Sequence, residues 1–293
     1  MTTTHTVARA DAVLVYDVDG PPPPAGGRRP LFMVGQHMDA SGFAELAACF
    51  PERAVVRYDP RGRGRSVCGR TGSAPAVQAG DVHQVVQALG GGPVDVFASG
   101  GGAITALALV AAFPADVATL VAHEPPLAAL LPDAAAAWRA FTACMEVYEA
   151  KGYGAGMAAF LTMAGWRGEF TEEYFALPPA DPARFGLPVE DDGRRDDPLL
   201  SDRSTGVADF RPDVAALRAA ATRVVVAAGA ESVGVFTGRA AVATAAALGQ
   251  QAVRFPGGHH GFRGAAAPAF ATALRTALDG GGGDDPPDPP RGP

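Results

Sequence analysis

The stretch VDVFASGGGAITALALVAAFP, Val94 to Pro114, constrains the fold more than any other. Its first residues, VDVFAS, contain no glycine or proline and read as a short buried strand. Three glycines follow Ser99 at once, and then an alanine- and leucine-rich run with no proline before Pro114, which reads as a helix. A strand that becomes a helix through so tight a turn holds its apex residue at a strained positive φ. Strand and helix can then approach only if the residues two before and two after the apex are small. With Ser99 at the apex, the residue two before it is Phe97, far too large. With Gly100 at the apex, the flanking residues are Ala98 and Gly102, and the rule is met. The spacing therefore places a glycine where enzymes built on this turn hold a nucleophile.

The rest of the chain repeats the strand–helix alternation. Strands are expected at Asp11–Val18, Leu31–Val34, Ala54–Asp59, Val94–Ser99, Val117–His123, Thr222–Gly229 and in QAVRF, with helices over Gly42–Cys49, Gln78–Leu89, Ala103–Ala112, Val233–Leu248 and Ala265–Leu278 between or after them. Alternation at this spacing predicts a mainly parallel twisted sheet flanked by helices on both faces. Residues 127–211 break the pattern: helical pieces at Ala134–Ala150, Tyr153–Trp166 and Thr171–Phe175 precede a polar loop, with no convincing strand. They are expected to form a helical cap inserted between core segments 1–126 and 212–279. The tail, 280–293, is glycine-, proline- and aspartate-rich with no apolar side chain to bury, and is expected to be disordered.

Composition removes several classes of function. The formal charge of −7 and pI near 5.3 offer no broad basic surface, so nucleic acid is not an expected partner. Cys49, Cys68 and Cys144 are too few and too scattered for a disulfide framework or a zinc site, so no metal or other cofactor is expected and a reducing, cytoplasmic compartment is. The N-terminus lacks a charged leader followed by an apolar run, and no long apolar stretch occurs, so neither export nor membrane contact is expected. Lys151 is the only lysine among 24 basic residues, which confines any Schiff-base chemistry to that one amine.

Taken together, YDPRGRGRS (Tyr58–Ser66), FASGGGAITALALVAAFP, LVAHEPP (Leu120–Pro126), GAES (Gly229–Ser232) and FPGGHHGF (Phe255–Phe262) resemble the capped α/β-hydrolases of actinobacteria, over nearly everything from Asp11 to Leu278. In similar sequences the elbow reads Ser-Ser-Gly-Gly and the second serine is the nucleophile. Here Gly100 stands at that position, which is therefore vacant. The resemblance implies that His259 is the triad histidine and Glu231 the triad acid, with Glu124 as a second possible acid. It also implies backbone amides at Gln36 and Gly101 as an oxyanion hole. His37, Ser99, Tyr148, Phe160, Met163 and Trp166 are candidate substrate contacts, although helical spacing fits the last four equally well to cap core. Asp59 and the arginines of YDPRGRGRS look catalytic but fit better as turn and loop ties.

Losing the serine of a comparable triad costs roughly a millionfold in rate, on the order of 8 kcal/mol. Ordinary ester hydrolysis is thus not expected. A base and an oxyanion hole without a nucleophile suit proton removal next to a carbonyl, which is epimerase or isomerase chemistry. The resemblance extends to members of this kind that epimerise a residue in a modified ribosomal peptide, as in bottromycin biosynthesis. A small-molecule or modified-peptide substrate is expected on this reading. Two alternatives stay open: a binding protein that keeps the pocket, and a hydrolase that uses a base-activated water.

Overall fold

The computed structural model describes residues 1–20, 27–69, 74–201 and 210–280. The tail expected to be disordered lies, apart from Gly280, outside the described residues. Among those residues nine strands make one sheet: β1 (Thr2–Ala8), β2 (Ala12–Asp19), β3 (Leu31–Val34), β4 (Val55–Asp59), β5 (Val67–Cys68), β6 (Val94–Ser99), β7 (Val117–His123), β8 (Arg223–Gly229) and β9 (Val253–Phe255). Their spatial order is β1-β2-β4-β3-β6-β7-β8-β9, with β5 added to β2. Pairing is parallel from β4 through β9 and antiparallel where β2 meets β1, β4 and β5.

The central strands are apolar on both faces because helices cover both. Phe32 and Val34 join Val96, Ala98 and the inner faces of α2 (Pro75–Ala88) and α3 (Gly101–Ala112) in one core. Leu31, Met33 and Phe97 join α1 (Ala44–Ala48) and the closing helix Ala267–Asp279 in the other. This alternation sends odd- and even-numbered residues of β6 to opposite sides, and so decides which way Ser99 points.

After β3 the chain moves outward to β4, then returns across β3 to lay down β6 on its other side. Parallel sheets open a crevice at such a reversal, outside the carboxyl ends of the two strands. Here that crevice lies between the loop after β3, which carries Gln36 and His37, and the turn after β6, which carries Gly100. Its floor is tightly built. A Cβ on Gly102 would lie 2.2 Å from the Val34 carbonyl oxygen and 2.8 Å from Gly35 Cα, so any other residue would prise α3 away from β3.

The sequence reading starts the sheet at Asp11 and misses β1. TTTHTVA is exposed along almost its whole length, so no apolar alternation marks it. Backbone pairing with β2 and the bonds from Thr2 Oγ1 to Asp19 (2.6 Å) and Thr4 Oγ1 to Asp17 (2.7 Å) hold it instead. In YDPRGRGRS, buried Asp59 accepts from the Ala40 and Arg65 amides, while Arg61 makes a paired contact with Asp81. These residues tie loops together.

Between β7 and β8 the described chain adds no strand. Its main element is α4 (Ala134–Gly165), broken at Gly152, whose φ of 81° and ψ of −173° interrupt the helix where the sequence separates two helical runs. Asp191 fills the space beside it, 2.2 Å from where a Gly152 Cβ would sit. This helical insertion has its own core, in which Tyr148, Met163, Phe170 and Leu200 pack with Phe236 and Ala240 of the helix Phe236–Ala247.

Candidate functional site

Gly100 caps α3 with φ 58° and ψ −129°, at the apex of the strand-to-helix turn. Its amide donates to the His123 carbonyl (3.0 Å), which ties the turn to β7. A non-glycine residue at such a φ is strained by about 1–3 kcal/mol, a strain glycine avoids. A Cβ at Gly100 would meet His259 Nε2 at 3.2 Å and Cε1 at 3.4 Å. The imidazole therefore faces the spot where the first atoms of a nucleophile's side chain would be.

Ser99 lies elsewhere. It is 5% exposed, on the same side of β6 as Phe97, and its hydroxyl meets His123 Nδ1 at 3.1 Å. The expectation of Ser99 as a substrate contact is corrected here: strand alternation turns it under the sheet. His123 is fully buried among Phe97, Phe255, Phe262 and Phe270, and burial pushes its pKa down to about 3, so it is a neutral core histidine.

The loop after β9 delivers His259, whose Nδ1 lies 2.7 Å from Glu124 Oε2. Glu124 is 0% exposed and directly follows β7, with φ 48° turning its side chain inward. Its carboxylate also accepts from the Gly229 amide (2.8 Å) and the Thr237 hydroxyl (2.7 Å). Burial alone would raise its pKa, but the bond to His259, the neighbouring imidazoles and a bond to Ser232 outweigh it and hold the value at about 2. An ionised carboxylate only accepts, so His259 Nδ1 carries the proton it shares, and Nε2 is the nitrogen turned to the space over Gly100.

The expected acid, Glu231, is not the one His259 meets. Glu231 belongs to the short turn after β8; its side chain is exposed and passes near Gly258, with Oε2 3.7 Å from where a Cβ there would sit. The second candidate, Glu124, takes the place beside the ring. Thr237, which steadies it, was missed: a threonine in the first turn of a helix gives no signal of its own in the sequence.

The loop Gly35–Asp39 closes the other side. Neither the Gln36 nor the Gly101 amide has a partner among the described residues. The close approach of Gly35 and Gly102 brings these two stretches of backbone together. Met38 turns inward, its side chain against Gly42. His37 has φ 67° and is half-buried; its Nδ1 is enclosed with no hydrogen-bond partner, as is Gln36 Oε1. Burial, and then the charge of Arg63, bring the His37 pKa down to about 4.

The four insertion residues expected at the pocket divide. Tyr148 and Met163 are each 1% exposed within the insertion's own core, and the Tyr148 hydroxyl accepts from the Asp197 amide (2.9 Å). Packing accounts for both, which corrects their reading as substrate contacts. Phe160 and Trp166 lie half-buried against the same core. Among the described residues no group of three or more His, Cys, Asp and Glu is placed to hold a metal ion, and no helix is long and apolar enough to cross a membrane.

A mainly parallel sheet covered on both faces, with its tight turn after β6 and a histidine facing it from the loop after the last strand, is the α/β-hydrolase fold. Solved structures agree. An enol-lactonase from Burkholderia xenovorans is similar with a TM-score of 0.64 at 20% identity, over 94% of this chain and 100% of that one. E-2-(acetamidomethylene)succinate hydrolase gives 0.64 at 18% identity over 95% and 100%, and a proline iminopeptidase from Mycobacterium smegmatis 0.62 at 18% over 94% and 98%. No protein-family model and no curated protein sequence matches the chain.

Proposed function

We propose that this protein is a non-hydrolytic enzyme of the α/β-hydrolase fold, an epimerase or isomerase that removes and returns a proton on a carbon next to a carbonyl. One observation carries the reading: His259 Nε2 lies 3.2 Å from the Cβ position of a residue that has no Cβ. The base is positioned and nothing stands in front of it. The substrate's α-carbon takes the room a serine would fill. His259 accepts its proton, and Glu124, ionised and bonded to Nδ1, stabilises the imidazolium that forms. Electron density moves to the carbonyl oxygen, toward which the Gln36 and Gly101 amides point in this reading. His259 lies on one face of the planar enolate, so return of its solvent-exchanged proton restores the starting centre, and a solvent proton delivered to the opposite face gives the other epimer.

The helical insertion serves as the cap that keeps water from the enolate. The neighbours' names, lactonase, hydrolase and iminopeptidase, support a substrate with an acyl carbonyl. A modified peptide, with an α-carbon made acidic by an adjoining amide or thiazoline, fits this chemistry.

Short peptides of that kind, incubated with the protein in deuterium oxide and followed by mass spectrometry, test the proposal. One deuterium gained per epimerised centre, with both epimers at equilibrium, is expected. Tight binding with no deuterium uptake would establish a binding protein. Cleavage with oxygen taken from labelled water would establish a hydrolase that activates water through His259.

A further inference from the structure

Among the described residues, only His37 and Glu124 have positive φ without being glycine. Glu124 holds the ring of His259. His37 has no such assignment, yet its backbone is held in the same strained region, on the loop beside the Gln36 amide. Its neighbour Met38 folds against Gly42, and His37, part-buried, lies at the carboxyl edge of the sheet, the edge that carries Gly100. Of its two ring nitrogens, Nδ1 is enclosed without a partner and Nε2 is not enclosed. An enclosed N–H with no acceptor is the costlier arrangement, so the ring proton sits on Nε2.

We propose that His37 is a third donor to the substrate's carbonyl oxygen, its Nε2–H completing the pair of backbone amides at Gln36 and Gly101. The inference rests on the proton-exchange reading of the same site. A neutral imidazole suits the task because it stabilises a developing enolate oxygen without surrendering its proton, so the enolate is held and not quenched as an enol. Burial and Arg63 keep the ring neutral at pH 7. No proton is transferred at His37: the one removed from carbon goes to His259.

The test uses histidine labelled with nitrogen-15 and acetohydroxamate, a planar oxyanion mimic. In the intact protein the His37 Nε2–H resonance is expected to move downfield as acetohydroxamate is added. His37→Gly, which relieves the backbone strain, is expected to bind it at least tenfold more weakly without loss of thermal stability. In the exchange assay the same variant should lose about 100-fold in kcat with little change in KM, the size expected for one oxyanion donor. His37→Asn tolerates the same backbone and keeps a side-chain N–H, so it should recover part of that loss. A His37 resonance unmoved by tens of millimolar acetohydroxamate, or exchange by His37→Gly within twofold of wild type, overturns the assignment. Wild-type protein that shifts the resonance but exchanges no proton on any substrate tried would support the donor while counting against the epimerase.

Discussion

Two histidine–carboxylate pairs bracket the same strand. At the start of β7, Asp116 meets His83 Nδ1 at 2.6 Å; just past its end, Glu124 meets His259 Nδ1 at 2.7 Å. In both, the carboxylate is buried and the ring part-exposed, at 23% and 33%. Their surroundings differ. The His83 ring lies flat on Phe113, with centroids 4.0 Å apart and planes 9° off parallel, and Gln87 takes the other oxygen of Asp116. That pair pins α2 to the turn before β7. The His259 ring faces the side-chain-free apex of a tight turn, at the carboxyl edge of the sheet where the order of strands reverses. A paired histidine is thus no sign of chemistry by itself. What faces its second nitrogen, and at which end of the strand, decides.

Gly100→Ser should produce the largest change. The new Cβ sits 3.2 Å from Nε2, so the serine should be labelled by a fluorophosphonate and p-nitrophenyl ester hydrolysis should rise at least ~10³-fold above the wild-type background. Labelling of the unaltered protein at Ser99 would break the comparison at its root. Next, His259→Ala should slow deuterium exchange about 10³-fold, within the usual range for a general base, whereas His83→Ala should leave exchange within about twofold. Equal losses at both ends would show that the pairs are not distinct.

Glu124→Gln should slow exchange roughly 100-fold by losing the charge that steadies the imidazolium. It also has a signature in pH. The folded-state pKa of Glu124, about 2, is below the ordinary 4.5, so its ionisation stabilises the fold above pH 4.5 and that contribution disappears as pH falls toward 2. The stability difference between wild type and Glu124→Gln in denaturant titrations should therefore shrink across that window by about 3 kcal/mol. A constant difference would mean that Glu124 is not ionised in the folded protein. The smallest effect belongs to the other end: Asp116→Asn should cost about 1–3 kcal/mol of stability and leave exchange unchanged.

The elbow register was legible because sterics left one solution. Phe97 cannot sit two residues before the apex, whereas Ala98 and Gly102 can flank it. The central strands were legible for a related reason, since burial on both faces forces unbroken apolar runs. β1 was not, because an exposed edge strand is held by backbone bonds that any sequence can make. The acid was misassigned because Glu124 and Glu231 both follow strand ends, and one-dimensional spacing does not say which carboxylate turns inward. A backbone φ of 48° at Glu124 makes that choice, and nothing in its residue type reveals it.

The helix Phe236–Ala247 begins with two neighbours that serve different parts of the molecule. Phe236 is embedded in the core of the helical insertion, and the hydroxyl of Thr237, one residue on, is bonded to Glu124. Arg239, in the same turn, grips Asp133 at the foot of α4. The turn is therefore a mechanical joint. Lifting the insertion drags Phe236 and Arg239 with it, and a shift of one ångström at Thr237 is enough to lengthen a 2.7 Å hydrogen bond beyond use. A displacement of that size would take one donor from the Glu124 carboxylate and leave the Gly229 amide to hold it. One turn of helix thus couples the seating of the insertion to the carboxylate that aims His259.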